Sequence, residues 1–363
     1  MAEQLYPRLE INTSHLRENI ETVVRKCAAR GVRVAGVVKG MTADIECCRQ
    51  YVDSGCSMIG SSRLDQLEAI RGDGIDLPTM LIRVPMLSHA DEVVRLADYS
   101  LNSEVRVLEA LNEAALRQEK VHKVVLMSDL GDLREGFWDK AELIDTAVRV
   151  EREMPGLEMA GVGTNLGCYG SVQATPDKLL ELVAIAEAIE EMIGRELEII
   201  SGGATSTYLR ILDGRIPERI NHLRIGELIL NARDLEYFYG ADLSDMHKDV
   251  FTLKAEIVEV KNKPTYPQGE IGVDAFGRSQ KYTDRGIRRR AIAAIGKVDY
   301  SDFADLFPKD KGIGIIGASS DHTILDIEDA ERAIRVGDIL EFGINYASLV
   351  FLSNCRDVRH VIV

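Results

Sequence analysis

Among its 363 residues the chain has no apolar run near the roughly 18–20 that a membrane-spanning helix needs. The opening residues, Met1-Ala2-Glu3-Gln4, lack the basic and apolar regions of a signal peptide. Basic charge is short: 44 Lys and Arg stand against 59 Asp and Glu, a formal net charge of -15, which argues against a nucleic-acid or anionic-membrane surface. That excess of acid mildly suits a cationic small substrate, but a solvated acidic surface is the better explanation of it. No CxxC pair and no HExxH motif occurs, so no metal site is expected. The six cysteines, Cys27, Cys47, Cys48, Cys56, Cys168 and Cys355, have no secreted-domain spacing and read as reduced thiols of a cytoplasmic protein.

What remains is ordinary globular material, 45% hydrophobic and 28% charged, enough for one large domain and a smaller one. A short strand over 8–12 and a helix to about Arg30 lead to an apolar run, Val34-Ala35-Gly36-Val37-Val38, that ends in Lys39. From there strand-like runs at 58–62, 79–84, 99–102, 123–128, 157–163, 197–201 and 221–225 alternate with helix-like segments. About eight strand-then-helix units suit parallel crossovers and a closed (β/α)8 barrel over residues 1–235. An open doubly wound sheet should carry GxGxxG after its first strand, and Gly40-Met41-Thr42-Ala43 is not that. Beyond 236 the rhythm changes to strands separated by Pro, Gly and Asp turns, read as a smaller all-β domain over 236–363, with which residues 1–12 could pair.

Barrel enzymes keep their chemistry at the C-terminal strand ends. Lys39 stands at one, although a lysine there is commonly a snorkelling side chain. Ser201-Gly202-Gly203-Ala204-Thr205-Ser206-Thr207 stands at another. Glycines and hydroxyls before a short helix make an anion or phosphate seat, or simply a tight capped turn. A lysine early in the barrel and a phosphate seat late in it together suggest pyridoxal phosphate, which takes a covalent lysine.

These stretches, in this order and spacing, resemble the fold-type III pyridoxal-phosphate enzymes, the alanine racemase family, with most likeness to its ornithine racemases. Val37-Val38-Lys39-Gly40-Met41 resembles the cofactor-lysine strand, and Asp129 to Gly136 the strand end whose arginine, here Arg134, touches cofactor and lysine. Ser201 to Ser206 resembles the phosphate loop, which assigns Ser201, Gly202, Gly203, Thr205 and Ser206 to the cofactor. Leu223 to Glu227 resembles the motif in which Arg224 faces the pyridine nitrogen and Gly226 adjoins the phosphate. Ile344-Asn345-Tyr346 resembles the phosphate-binding tyrosine segment.

The chain departs from alanine racemase in three places. Asn165 replaces a histidine on the cofactor side. Ser320-Asp321-His322 stands for Met-Asp-Gln. Lys297 stands where the second catalytic base is a tyrosine.

The resemblance implies amino-acid racemisation, with Lys39 as base on one face of Cα and a second group opposite, in a homodimer whose β domain completes the partner's site. Candidates for that group are Lys297, His322, Cys168 and Tyr169. Arg134, Tyr169, Ser320 and Asp321 are expected to face substrate. A basic amino acid such as ornithine needs a carboxylate partner, for which Asp129, Asp132, Glu135, Asp274 and Asp321 are available, Asp321 foremost. Alternatives are alanine racemase, a non-catalytic pyridoxal-phosphate carrier, and a lyase with a divalent metal at Asp321-His322.

Overall fold

The computed structural model describes residues 5–279 and 281–363; Met1–Gln4, which bear the expectation of no leader, lie outside them. The chain divides into two compact units, Ser14–His247 and a second that joins the N-terminal segment through Thr13 to Lys248–Val363. The first strand, β1 (Arg8–Ile11), belongs to that second unit.

In the first unit eight parallel strands close into a barrel, as the strand-helix rhythm predicts. They are β2 (Arg33–Val37), β3 (Met58–Ser61), β4 (Thr79–Leu81), β5 (Tyr99–Asn102), β6 (His122–Met127), β7 (Leu157–Gly163), β8 (Ile199–Ser201) and β9 (His222–Ile225). Strands covered on both faces must be apolar throughout, and β3 and β5 are buried along their whole length. Ala35, Met58, Met80, Tyr99, Leu101, Val125, Met127, Ala160 and Ile199 pack into one cluster. The barrel interior is therefore a packed core, and chemistry is left to the loops at its C-terminal end.

Local signals set the crossover helices. Leu16, Ile20, Val23 and Cys27 recur at helical spacing and bury one face of Thr13–Ala28. Asp139 caps Lys140–Glu153 by accepting from the N–H groups of Ala141 and Glu142. Pro176 begins Pro176–Ile193, and Gly194 ends it in the left-handed region.

A boundary at 236 separates the domains in the sequence reading, whereas the structure keeps 236–247 with the barrel unit. The side-chain amide of Asn19 donates to the carbonyls of Ile229 and His247, at 3.0 and 2.8 Å, and its oxygen accepts from the N–H of His247 at 2.7 Å. The His247 ring stacks on His15, centroids 3.9 Å apart. Such ties come from side chains on a distant helix and leave no period in the local sequence.

The second unit is a largely antiparallel sheet. Its strands are β10 (Phe251–Pro264), β11 (Ile287–Ala293), β12 (Leu306–Pro308), β13 (Gly314–Ala318), β14 (Thr323–Asp326), β15 (Ile339–Ile344) and β16 (Arg359–Ile362). They run in the order β12-β15-β10-β11-β14-β13, and β1 pairs antiparallel with β10 and parallel with β16. The unit is not purely β: Tyr346–Asn354 is a nine-residue helix, capped where the Asn345 side chain accepts from the N–H of Ser348. All six cysteines are unpaired. No helix among the described residues is long and apolar enough to cross a membrane.

Candidate active site

Lys39 leaves the barrel directly after β2, on a single turn of 3-10 helix, Lys39–Met41. Burial, and then the Arg134 guanidinium, hold its ammonium below the ordinary lysine range; Cys168 and Glu135 oppose that shift and Arg224 adds to it. The loops after β6 and β7 and strand β9 thus bring Arg134, Glu135, Cys168 and Arg224 to bear on the same lysine. Arg134 donates Nη1 to the Cys168 sulfur at 2.9 Å and its other face to the Glu135 carboxylate.

Asp132 holds this arrangement from behind. It is buried, and Oδ1 accepts from the N–H groups of Gly167, Cys168 and Val172 at 3.1, 3.4 and 3.1 Å. One carboxylate thereby ties the loop after β6 to the loop after β7. Cys168 is exposed and Tyr169 is 75% exposed on the outer part of that second loop, beyond the half-buried Asn165.

Arg224 is buried on β9, where a guanidinium must have its donors satisfied. Nη2 reaches the Thr164 carbonyl at 2.8 Å and Nη1 the Ser201 hydroxyl, which also meets Nδ1 of His222 at 2.9 Å. Burial lowers Arg224 to about 10, still a cation at neutral pH. Burial and the adjacent Arg224 push His222 down to about 3, so its ring is neutral. Ser201 therefore differs from the expected phosphate-loop hydroxyl, since its oxygen serves Arg224 and His222.

The loop after β8 runs beside strand β9. The Arg224 N–H donates to the Gly203 carbonyl at 2.9 Å. Gly203 has φ +120°, and a Cβ there would stand 2.7 Å from Thr207 Oγ1; one at Gly226 would stand 3.1 Å from Val37 Cβ. Gly202 is buried beside them, and Thr205 and Ser206 are half-buried on the following turn. Ser206 gives its hydroxyl to the Leu166 carbonyl at 2.7 Å. Bare backbone with no side chain to block it suits a phosphate, and a lysine within reach of two arginines suits a phosphorylated aldehyde cofactor.

In the second unit Lys297, Ser320, Asp321 and His322 lie on touching segments. The N–H groups of Lys297 and Val298 donate to the carbonyls of Ser319 and Ser320 at 2.9 and 3.1 Å. Gly296 permits this approach, because a Cβ there would stand 2.0 Å from the Ser320 carbonyl. The Lys297 side chain is 7% exposed; its ammonium lies 3.8 Å from the Asp274 carboxylate and 4.5 Å from the Phe276 ring centroid. Asp321 and His322 are exposed, and Tyr346 is half-buried at the start of its helix. The sequence reading gave no role to Thr164, His222 or Phe276. A histidine inside an apolar strand, as at 222, is the one signal of the three visible without coordinates.

A model of the alanine racemase N-terminal domain matches residues 11–234. The ornithine racemase of Acetoanaerobium sticklandii is 42% identical over 348 residues, 95% of this chain and 96% of that protein. The lysine racemase of Thermotoga maritima is 38% identical over 346 residues, 95% of each chain. Among solved structures, alanine racemase from the D-cycloserine-producing Streptomyces lavendulae has a TM-score of 0.75 at 17% identity, covering 99% of this chain and 98% of that one, a likeness of fold.

Proposed function

Because the chain belongs to the alanine racemase family, we propose that it is a pyridoxal-phosphate-dependent racemase of basic amino acids, acting on ornithine first and lysine second. One observation carries the substrate class: the likeness to two racemases of basic amino acids runs along nearly their whole lengths.

The residues present fit the cofactor. Lys39 would hold it covalently, the backbone at Gly202, Gly203, Thr205, Ser206 and Gly226 would hold its phosphate together with Tyr346, and Arg134, Asn165 and Arg224 would line its ring. When bound, the cofactor draws electrons from Cα and makes its hydrogen acidic.

The chain's own groups then move that proton. Lys39, kept below the ordinary lysine range by burial and Arg134, offers more free amine near neutral pH than an exposed lysine and removes the proton on one face. A second group returns it on the other. Cys168, against Arg134, and Tyr169 are the candidates from the barrel unit, and Lys297 and His322 are the candidates from the β unit of a second copy. Arg134, Tyr169, Ser320 and Asp321 are assigned to the substrate. Arg224, a buried cation fixed by Ser201 and Thr164, disfavours a proton on the ring nitrogen. Negative charge then stays near Cα, and the proton returns there.

The test is a panel of L-amino acids assayed for the D-product. Ornithine and lysine should racemise well above alanine. Fast turnover of alanine with none of ornithine would sink the proposal.

A further inference from the structure

A substrate with a second ammonium needs a carboxylate inside the site, because a cation taken from water unpaired is costly. Three of the five candidate acids are engaged elsewhere. Asp129 Oδ1 accepts from the N–H groups of Gly131 and Leu133 at 2.8 and 3.1 Å and shapes its own turn. Asp132 is buried as the tie between two loops. Asp274 caps the Phe276 and Arg278 N–H groups with one oxygen and faces Lys297 with the other. Asp321 is exposed.

Glu135 differs from all four. Its side chain is 16% exposed, and it is the carboxylate among the charged groups that bear on Lys39; Arg224 responds to it too. It issues from a pinned turn. Gly136, at φ +136°, would place a Cβ 2.4 Å from the Asp129 nitrogen, and Phe137 is tied to the end of β6, its N–H donating to the Met127 carbonyl at 2.8 Å and its carbonyl accepting from the Asp129 N–H at 3.0 Å. The carboxylate lies against the fork of Arg134. A carboxylate offers about four acceptor positions and an arginine fork takes two, which leaves capacity for an ammonium.

We propose that Glu135 is the residue that selects a basic substrate, receiving the side-chain ammonium while it remains paired with Arg134. The inference rests on the racemase reading above and names the specificity determinant of that site.

The experiment compares ornithine with norvaline, the same carbon chain without the terminal amine, in the loaded enzyme. The ratio of kcat/KM for ornithine over norvaline should fall roughly 30-fold or more in E135Q, the loss typical of removing one partner of a buried charge pair. Calorimetric binding of α-methylornithine, which has no Cα hydrogen to lose, should weaken in parallel, and that of α-methylnorvaline much less. E135D keeps the charge with a shorter reach and should lower the ratio by less, so it decides the matter should E135Q not fold. An equal loss on both substrates would mean that Glu135 only holds Arg134, and would overturn the proposal. So would a ratio within about threefold of the parent in both variants. A parent enzyme that racemises no basic amino acid would instead defeat the racemase reading, before any variant is made.

Discussion

Arg224 and Ser201 hydrogen-bond between neighbouring barrel strands where both side chains are buried. A guanidinium only donates, so the Ser201 hydroxyl accepts from Arg224, and the same hydroxyl is hydrogen-bonded to Nδ1 of His222. Nε2 of His222 has no partner among the described residues. The orientation of the cation is thus fixed by a neutral histidine two residues before it.

Ser201→Ala strands a guanidinium donor and an imidazole nitrogen together. It should cost about 1–3 kcal/mol of stability, read as a lower urea midpoint. With Arg224 no longer aimed, keto acid formed per racemisation event should rise severalfold, which a purely structural loss would not cause.

Stability should depend on pH through buried groups of opposite sign. His222 and His122 are pushed down by burial from 6.5, to about 3 and about 4. Their unfolded forms bind protons first, so the stability they contribute is full above pH 6.5 and is lost as pH falls toward 4 and 3. Glu227 is pushed up by burial and then by Asp234, from 4.5 to about 7, so its contribution is full below 4.5 and is lost as pH rises toward 7. Urea midpoints should therefore fall most steeply between pH 4.5 and about 4, where Glu227 no longer offsets the histidines and both still differ from their unfolded forms. His222→Asn should flatten that limb; an unchanged slope would contradict it.

Gly203→Ala puts a side chain at φ +120° and against Thr207. Strain of about 1–3 kcal/mol at the phosphate cradle should weaken cofactor retention at least tenfold, measured by dialysis and absorbance. Unchanged retention would move the phosphate elsewhere.

Asp132→Ala removes the acceptor for three backbone N–H groups and should lower stability by about 1–3 kcal/mol, with KM raised as Cys168 and Tyr169 lose their support. Asp132→Asn keeps an acceptor oxygen, and its amide takes the place of the buried Oδ2, which has no partner among the described residues. It should stay close to the parent in thermal melts.

The barrel was legible because eight both-faces-buried strands must be apolar and must alternate with helices. Lys39, Arg224 and the Gly202-Gly203 turn were legible as residue types at strand ends. What sequence could not give is which side chains meet across strands. Ser201 and His222 are register partners of β8 and β9, and that register depends on barrel closure, not on either segment. The Tyr346–Asn354 helix was missed because its sequence, Tyr-Ala-Ser-Leu-Val-Phe-Leu-Ser-Asn, has no marked apolar face. Glu135 was one of five candidate acids in the sequence, and only the Gly136 turn and the Arg134 contact set it apart.

The central claim is that Lys39 holds the cofactor and takes the Cα proton. Lys39→Ala, purified with pyridoxal phosphate, should lack the yellow lysine-linked absorbance before reduction and, after borohydride, the cofactor mass that the reagent fixes to the parent chain. A variant that still showed that absorbance, or whose fixed mass mapped to another lysine, would contradict the account.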